Sequence, residues 1–569
     1  MCGIHALLSP SPPSSIPELP PPLKHRLLAR GPDHFGQVLC TATPGSTTWS
    51  LRFTSSVLAL RGDHVARQPL VASWDGNVSS ADPGSSAPGS GSVLCWNGEA
   101  WHVDGGKRVV EAEENDGEVV LGRLVAAAAA AAAAAPAASV SAAEREHAVL
   151  DVLRGIEGPF AFVFFDAASG SVFFGRDRLG RRSLLQRRPP SGGLELCSVA
   201  GEDGAGDGWT EVEADGVYVL RLGDGEDATP RRCGWVVARE GAEEDAADFV
   251  SGIGRFNKAL PAGSCRLTRE SPSVQALKDQ LLEAMRLRVL NVPPPPDAHV
   301  DGDRTRVAVL FSGGLDCTTI ARLCHDVLDP DQAVDLLNVA FENPRVVAQL
   351  RKANGDLADF YEACPDRITG RKSFAELQRV CPGRKFRFVA VNVPFIETQT
   401  HRQLVISLIH PHNTEMDLSI AYALYFAARG QGADELFGGY SRHLVGFQRQ
   451  GYAGLVDELL LDVGRLGKRN LGRDDRVMAH WGKEVRFPFL DERLVRWAIE
   501  TPAWEKCDFE NDADDSIGGV EAGKRVLRLL ALDLGMEGVA REKKRAIQFG
   551  SRTAKMESGR VKGTTLISS

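Results

Sequence analysis

Arg306-Val307-Ala308-Val309-Leu310-Phe311-Ser312-Gly313-Gly314-Leu315-Asp316-Cys317-Thr318-Thr319-Ile320-Ala321 decides how the second half of the chain folds. Val307 to Phe311 is an unbroken apolar run, which fits a fully buried parallel strand. Ser312-Gly313-Gly314 then turns the chain tightly, and Thr318 to Leu323 reads as the start of a helix. Glycines let backbone approach a ligand without a Cβ in the way. Free turn amides ahead of a helix N-terminus suit a phosphate or pyrophosphate. Asp316 would repel that anion unless a Mg²⁺ stood between carboxylate and phosphates. An ordinary strand-to-helix turn holding two glycines reads the same way, and short glycine motifs have many false positives.

Neighbouring motifs carry the reading further. Leu310-Phe311-Ser312-Gly313-Gly314-Leu315-Asp316 resembles the S-G-G-x-D-S pyrophosphate loop of ATP pyrophosphatases that form acyl-adenylates. Cys317 stands in place of the final serine, so the loop has one hydroxyl fewer. Gly432-Ala433-Asp434-Glu435-Leu436-Phe437-Gly438-Gly439-Tyr440 is similar to the G-A-D-E-L-F-G-G-Y of glutamine-dependent asparagine synthetases. Trp481-Gly482-Lys483-Glu484-Val485-Arg486-Phe487-Pro488-Phe489-Leu490-Asp491 resembles their W-G-x-E-x-R-x-P-F-L-D. The resemblance implies an α/β, doubly wound, parallel-sheet ATP pyrophosphatase domain. It implies ATP and Mg²⁺ as cofactors, with Leu310, Ser312, Gly313, Gly314, Asp316 and Lys544 on the nucleotide and Asp316 and Asp434 on the metal. Lys543-Lys544-Arg545 also reads as a plain solvated basic run. Independently, Leu336 to Phe341 and Phe388 to Val393 read as strands alternating with helical stretches, which argues for a parallel sheet. Ligands bind such sheets at the carboxyl ends of the strands, where Ser312 to Asp316 falls.

The chain opens Met1-Cys2-Gly3-Ile4. Removal of Met1 ahead of a small residue leaves Cys2 with a thiol and a free α-amine, a nucleophile that carries its own base. Arg30-Gly31-Pro32-Asp33, Asn97-Gly98-Glu99 and Asn115-Asp116-Gly117-Glu118-Val119 resemble motifs of class II glutamine amidotransferases. That resemblance implies an α+β N-terminal-nucleophile domain of four αββα layers, with Cys2 as nucleophile and Asn97 and Gly98 as oxyanion donors. Arg61, Glu99 and Asp116 are the glutamine-binding candidates, Arg61 for the α-carboxylate and Asp116 for the α-amine. Gly62 follows Arg61 where the family carries a larger apolar residue, and a lone Arg61 or Asp116 reads equally as a surface charge.

Composition bounds the rest. A 569-residue chain suits about two to four domains, and 43% hydrophobic with 25% charged residues is globular usage. Net charge −9 with no dominant basic block argues against a nucleic-acid partner. No apolar run reaches the roughly 18 residues of a membrane span, and no signal peptide opens the chain. Eleven cysteines without C-x-x-C pairs fit reduced thiols and a cytoplasmic setting. Residues 2–240 are expected to form the glutaminase domain, 241–272 a linker and 273–569 the pyrophosphatase domain, beginning with a helix over Ser273 to Leu290. Within the first domain, Ser79 to Ser92 reads as a flexible insertion and Ala126 to Ala135 as a helical surface spacer. The partners implied are glutamine, aspartate as acceptor acid, and ATP, with no nucleic acid and no membrane; an oligomer is left open. The activity implied is glutamine hydrolysis feeding ammonia to an adenylated carboxylate, a ligase reaction of asparagine biosynthesis. The alternatives are a scaffold or regulatory protein without synthesis, or a glutaminase alone.

One departure from the family is sharp. There a buried strand leads into the G-A-D-E segment, whereas here a helical stretch from Ala421 to Arg429 runs straight into Gly430-Gln431-Gly432-Ala433-Asp434. The sheet is therefore expected to lack a strand and synthetase activity to be weak or absent, with the coding message misread around Arg429 to Ala433.

Overall fold

The structure is a computed structural model; it describes residues 2–12, 16–44, 47–72, 78–80, 91–134, 142–201, 208–225, 228–236, 249–293, 305–354, 359–427, 434–437, 441–465, 471–511, 519–556 and 562–567. The chain divides into two compact units. Met1–Glu243 and Gly467–Glu484 make the first, Glu244–Leu466 and Val485–Ser569 the second. The sequence gives no hint that a stretch from the second half belongs with the first unit.

The first unit is rich in sheet. Gly3–Ser9 is buried over its whole length and sits between Leu194–Cys197 and Trp49–Val57, antiparallel to both. The six-stranded sheet runs Thr210–Glu211, Leu185–Arg187, Leu194–Cys197, Gly3–Ser9, Trp49–Val57, His34–Ala42. A seven-stranded sheet runs Arg231–Gly234, Gly216–Arg221, Ser171–Arg176, Phe160–Asp166, Ser92–Gly98, Leu70–Ala72, Val78–Ser80. Alternation fixes which side chains meet. Ile4, Ala6 and Leu8 join Val93, Cys95, Ala161, Val163 and Phe165 in one core that both sheets share. The opposite residues of the second sheet, Trp96, Phe160, Phe162 and Phe164, form another core with two helices, Asp116–Ala134 and Ala142–Arg154. Helix Pro21–Arg30 buries Leu23 and Leu27 and packs on the strands Gly3–Ser9 and Trp49–Val57.

The alanine run is more than a spacer. It prolongs the helix from Asp116, and Ala128 is buried in the core beside Leu124.

The second unit carries an α/β region. Its sheet is parallel, ordered Val307–Leu310, Val334–Phe341, Phe386–Val393, with Leu310 opposite Leu337 and Leu337 opposite Val389. Helix Leu315–Val327 connects the first two strands, and helices Pro344–Asn354 and Pro365–Val380 lie between the second and third. The expected full burial of the first strand is overturned. Among the described residues Val307–Leu310 is an edge strand with one neighbour; Ala308 is exposed, and Val307 and Leu310 are half-buried. The central strand Val334–Phe341 is buried at every residue but Asp335. No strand lies beyond Val307–Leu310 among the described residues. Helix Glu415–Ala427 ends just before residues 428–433, so the Gly430–Ala433 junction lies outside the described residues, and the next described stretch is the short helix Asp434–Phe437. No helix among the described residues is long and apolar enough to cross a membrane.

Candidate active site

In the first unit the sequence candidates converge. Cys2 immediately precedes the fully buried strand Gly3–Ser9 and is itself 7% exposed. Burial pushes its thiol pKa up and the Asp116 carboxylate adds to that, while a backbone hydrogen bond at Leu58 and the Arg30 charge pull it down. A buried, protonated thiol needs a base close by before it can attack. Arg30 donates from Nε to the Cys2 carbonyl at 3.2 Å.

Asn97 and Gly98 end the strand Ser92–Gly98, paired with Ala161 and Phe160. A Cβ on Gly98 would fall 2.3 Å from the Pro159 carbonyl oxygen, so the close passage of that backbone excludes any larger residue. Asn97 is fully buried, yet neither its amide nitrogen nor its amide oxygen has a hydrogen-bond partner. Buried polar groups are nearly always paired, and an exception calls for an explanation. Gln68 links this strand to the nucleophile: its Oε1 accepts from the Trp96 N–H at 2.8 Å, and its Nε2 lies 4.0 Å from the Cys2 sulfur. No sequence signal marks Gln68.

Asp116, at the start of its helix, accepts from the Trp96 indole at 2.9 Å and from the Ala100 N–H at 2.8 Å, both through Oδ2. Burial raises its pKa; Arg61 and these two donors counter it, and Glu99 adds to it. Arg61 is 7% exposed, donates to the Val110 carbonyl at 2.9 Å, and keeps a buried Nε without a partner. Glu99 is buried and its backbone N–H donates to Pro159 O at 2.8 Å. The Cys2 thiol, the Asp116 carboxylate and the Arg61 guanidinium thus share one buried neighbourhood, and Gln68 ties the strand of Asn97 to it.

In the second unit the glycine loop is held from behind. Gly313 has φ +82°, and a Cβ on it would lie 2.5 Å from the Gly370 nitrogen. Ser373 Oγ donates to the Gly313 carbonyl at 2.7 Å. Asn338 donates to both the Phe311 and Asp366 carbonyls, at 2.8 and 2.9 Å, and accepts from Arg367 Nε at 2.7 Å. Pro365-Asp366-Arg367-Ile368-Thr369-Gly370 therefore clamps the loop against the strand end. Gly314 caps helix Leu315–Val327 and its N–H donates to Ser312 Oγ at 3.3 Å. The Cys317 thiol turns inward, 3.4 Å from the Gly314 carbonyl, with its pKa raised by burial.

Asp316 has a partner the sequence did not suggest. Lys524 Nζ lies 2.8 and 2.6 Å from its two oxygens. Lys524 has φ +55° and precedes helix Arg525–Asp533; its N–H donates to Phe437 O at 2.9 Å, which seats the turn carrying Asp434 beside it. The Asp434 side chain lies outside the described residues. Lys544 is exposed in the loop after Arg541, and the ammonium beside the Asp316 carboxylate is that of Lys524. A lone lysine gave no signal, whereas the run Lys543 to Arg545 did. No group of three acidic, histidine or cysteine side chains able to hold a metal occurs among the described residues.

Comparison with known proteins follows the same lines. The family model described as asparagine synthase matches residues 447–563. Asparagine synthetase domain-containing protein 1 of Mus musculus is 31% identical over 666 aligned positions, covering 99% of this chain and 98% of that one. The Homo sapiens protein of the same name is also 31% identical, covering 98% and 96%. The asparagine synthetase [glutamine-hydrolyzing] of Rattus norvegicus is 22% identical, covering 72% and 64%. An alignment of 666 positions against 569 residues means the mouse protein carries stretches that this chain lacks.

Proposed function

Because this chain belongs to the asparagine synthetase domain-containing protein 1 family, we propose that it is a glutamine-dependent amidotransferase of asparagine synthetase type. Its glutaminase half is complete and its ATP-dependent half is weakened. The observation that carries this is the buried Asn97 amide without a partner, on the strand that Gln68 ties to Cys2. With Met1 removed, the α-amine of Cys2 takes the thiol proton, and the thiolate attacks the glutamine carboxamide carbon. Asn97 Nδ2 and the Gly98 N–H donate to the oxyanion, a role in which fixed amide donors need no reorganisation. Arg61 takes the α-carboxylate; Asp116 Oδ1, the oxygen left clear of Trp96 and Ala100, takes the α-ammonium, with Glu99 beside it. Ammonia leaves with the returned proton, and water clears the thioester to glutamate and free thiol. The helices outside two stacked sheets support a four-layer N-terminal-nucleophile fold for this half.

The second half would take ATP at the loop after Leu310. Ser312, Gly313 and Gly314 offer backbone amides at a helix N-terminus, which suits a phosphate. Lys524, beside Asp316, suits the pyrophosphate charge; Lys544 remains a second candidate from the flanking loop. Mg²⁺ is usually held by one or two carboxylates plus substrate phosphates, so Asp316 and Asp434 would be the groups to hold it. The acceptor would be a carboxylic acid, aspartate by family, and the setting cytoplasmic. The exposed edge of Val307–Leu310 favours a second reading in which glutamine is hydrolysed and little or no amide is made. Pyrophosphate and glutamate release across a panel of carboxylic acids, with glutamine or ammonia, separates the two. Matched release of both supports a synthetase, and glutamate alone supports the second reading.

A further inference from the structure

Arg30 carries more than the Cys2 carbonyl. Its Nη2 lies 2.8 Å from Asp475 Oδ2, with arginine and aspartate side chains 1% and 0% exposed. Asp475 comes from helix Leu471–Ala479, within the stretch Gly467–Glu484 that joins the first unit. The same Oδ2 accepts from the Ser183 N–H at 3.1 Å, and Arg182 Nη1 lies 3.9 Å from Oδ1. The next residue, Arg476, donates to Ser183 Oγ at 2.8 Å and to Glu211 at 2.6 Å. Every residue of this nine-residue helix is buried, including the consecutive charges Arg473, Asp474, Asp475 and Arg476.

A helix that merely fills space is apolar; burying charges is costly and is repaid only by well-placed partners. Asp475 fixes the Arg30 guanidinium from one side, and Arg30 fixes the Cys2 carbonyl from the other. That carbonyl shares its Cα with the thiol and the α-amine. We propose that Asp475 is a positioning residue of the glutamine site, acting through Arg30, so that a segment of the second half of the chain completes the glutaminase. The proposal rests on Cys2 being the nucleophile. Without Asp475 the Arg30 charge is stranded and leaves its place, the carbonyl loses its tether, and the reacting atoms lose their alignment. Misplacement on the scale of an ångström costs about a hundredfold in rate.

The test uses the full chain with Asp475→Asn, which keeps the volume, and Asp475→Glu, which keeps the charge. Glutamate release, melting temperature and the pH profile of Cys2 alkylation by iodoacetamide, followed on the N-terminal peptide by mass spectrometry, are compared with wild type. Asp475→Asn is expected to lower kcat about tenfold to a hundredfold with KM little changed. It is also expected to raise the apparent pKa of Cys2 alkylation, because the Arg30 charge that favours the thiolate drifts away. Asp475→Glu is expected to recover part of both. Wild-type kcat in Asp475→Asn, or a loss that follows melting alone with the alkylation profile unmoved, overturns the proposal. Cys2→Ala is the separate control: if it still hydrolyses glutamine, the nucleophile assignment has failed instead.

Discussion

Asn97 is buried with two unmatched polar groups, a defect worth about 1–3 kcal/mol for each group left unsatisfied. A side chain kept for stability would not be left so. Asn97→Ala is therefore expected to melt no lower than wild type while glutamate release falls about 10²–10³-fold. Thermal melts and steady-state kinetics on one preparation check both halves. Asp366 presents the opposite case. Burial raises its carboxyl pKa from 3.8 to about 7, with the Arg545 guanidinium, 3.8 Å away, limiting the rise. A raised acid favours folding below its unfolded pKa and loses that contribution as pH climbs through the folded value. The difference is on the order of 4 kcal/mol. Asp366→Asn should gain more in melting temperature at pH 8 than at pH 5; an equal gain at both contradicts the shift. Cys2, Asn97 and Asp116 were identifiable as candidates because each sits in a short motif whose residue types match the proposed chemistry. Gln68 and Lys524 were not, since single polar residues become partners of Cys2 and Asp316 only through long-range folding.

The glycine loop is held by the helix behind it as much as by its own turn. Gly313→Ala would force a left-handed backbone on alanine, about 1–2 kcal/mol, and press a methyl into Gly370. Pyrophosphate release should fall in that variant while glutamine hydrolysis stays at the wild-type rate; loss of both would contradict separate sites. The strand before the loop shows where pattern reading stops. Five apolar residues read as buried from both sides, yet among the described residues Val307–Leu310 has one neighbouring strand, and Ala308 is exposed. Periodicity reports hydrophobicity, while burial of a strand depends on what pairs with it. Hydrogen exchange should be faster over 307–310 than over 334–341, and equal protection would mean that another strand covers the edge. The alanine run was read largely as it stands: its described residues are mostly exposed or half-buried, and Ala128 alone among them is buried in the core.

Over the whole molecule, a sheet-rich first unit and an α/β region in the second were readable from the sequence motifs. The return of Gly467–Glu484 to the first unit was not, because its charges look like solvated helix surface until their partners, Arg30, Ser183 and Glu211, are known. The mouse relative aligns over 666 positions against 569 residues here, so it carries stretches that this chain lacks. Sequencing the transcript across the codons for Arg429 to Ala433 is expected to reveal further coding sequence, and an uninterrupted match to this chain would contradict that. The account as a whole turns on hydrolysis at Cys2. Its most direct test is glutamate release from glutamine by the full chain, wild type beside Cys2→Ala. Steady release by wild type, falling to the blank rate in the variant, is the predicted result; release that survives the substitution, or is absent from folded wild type, contradicts it.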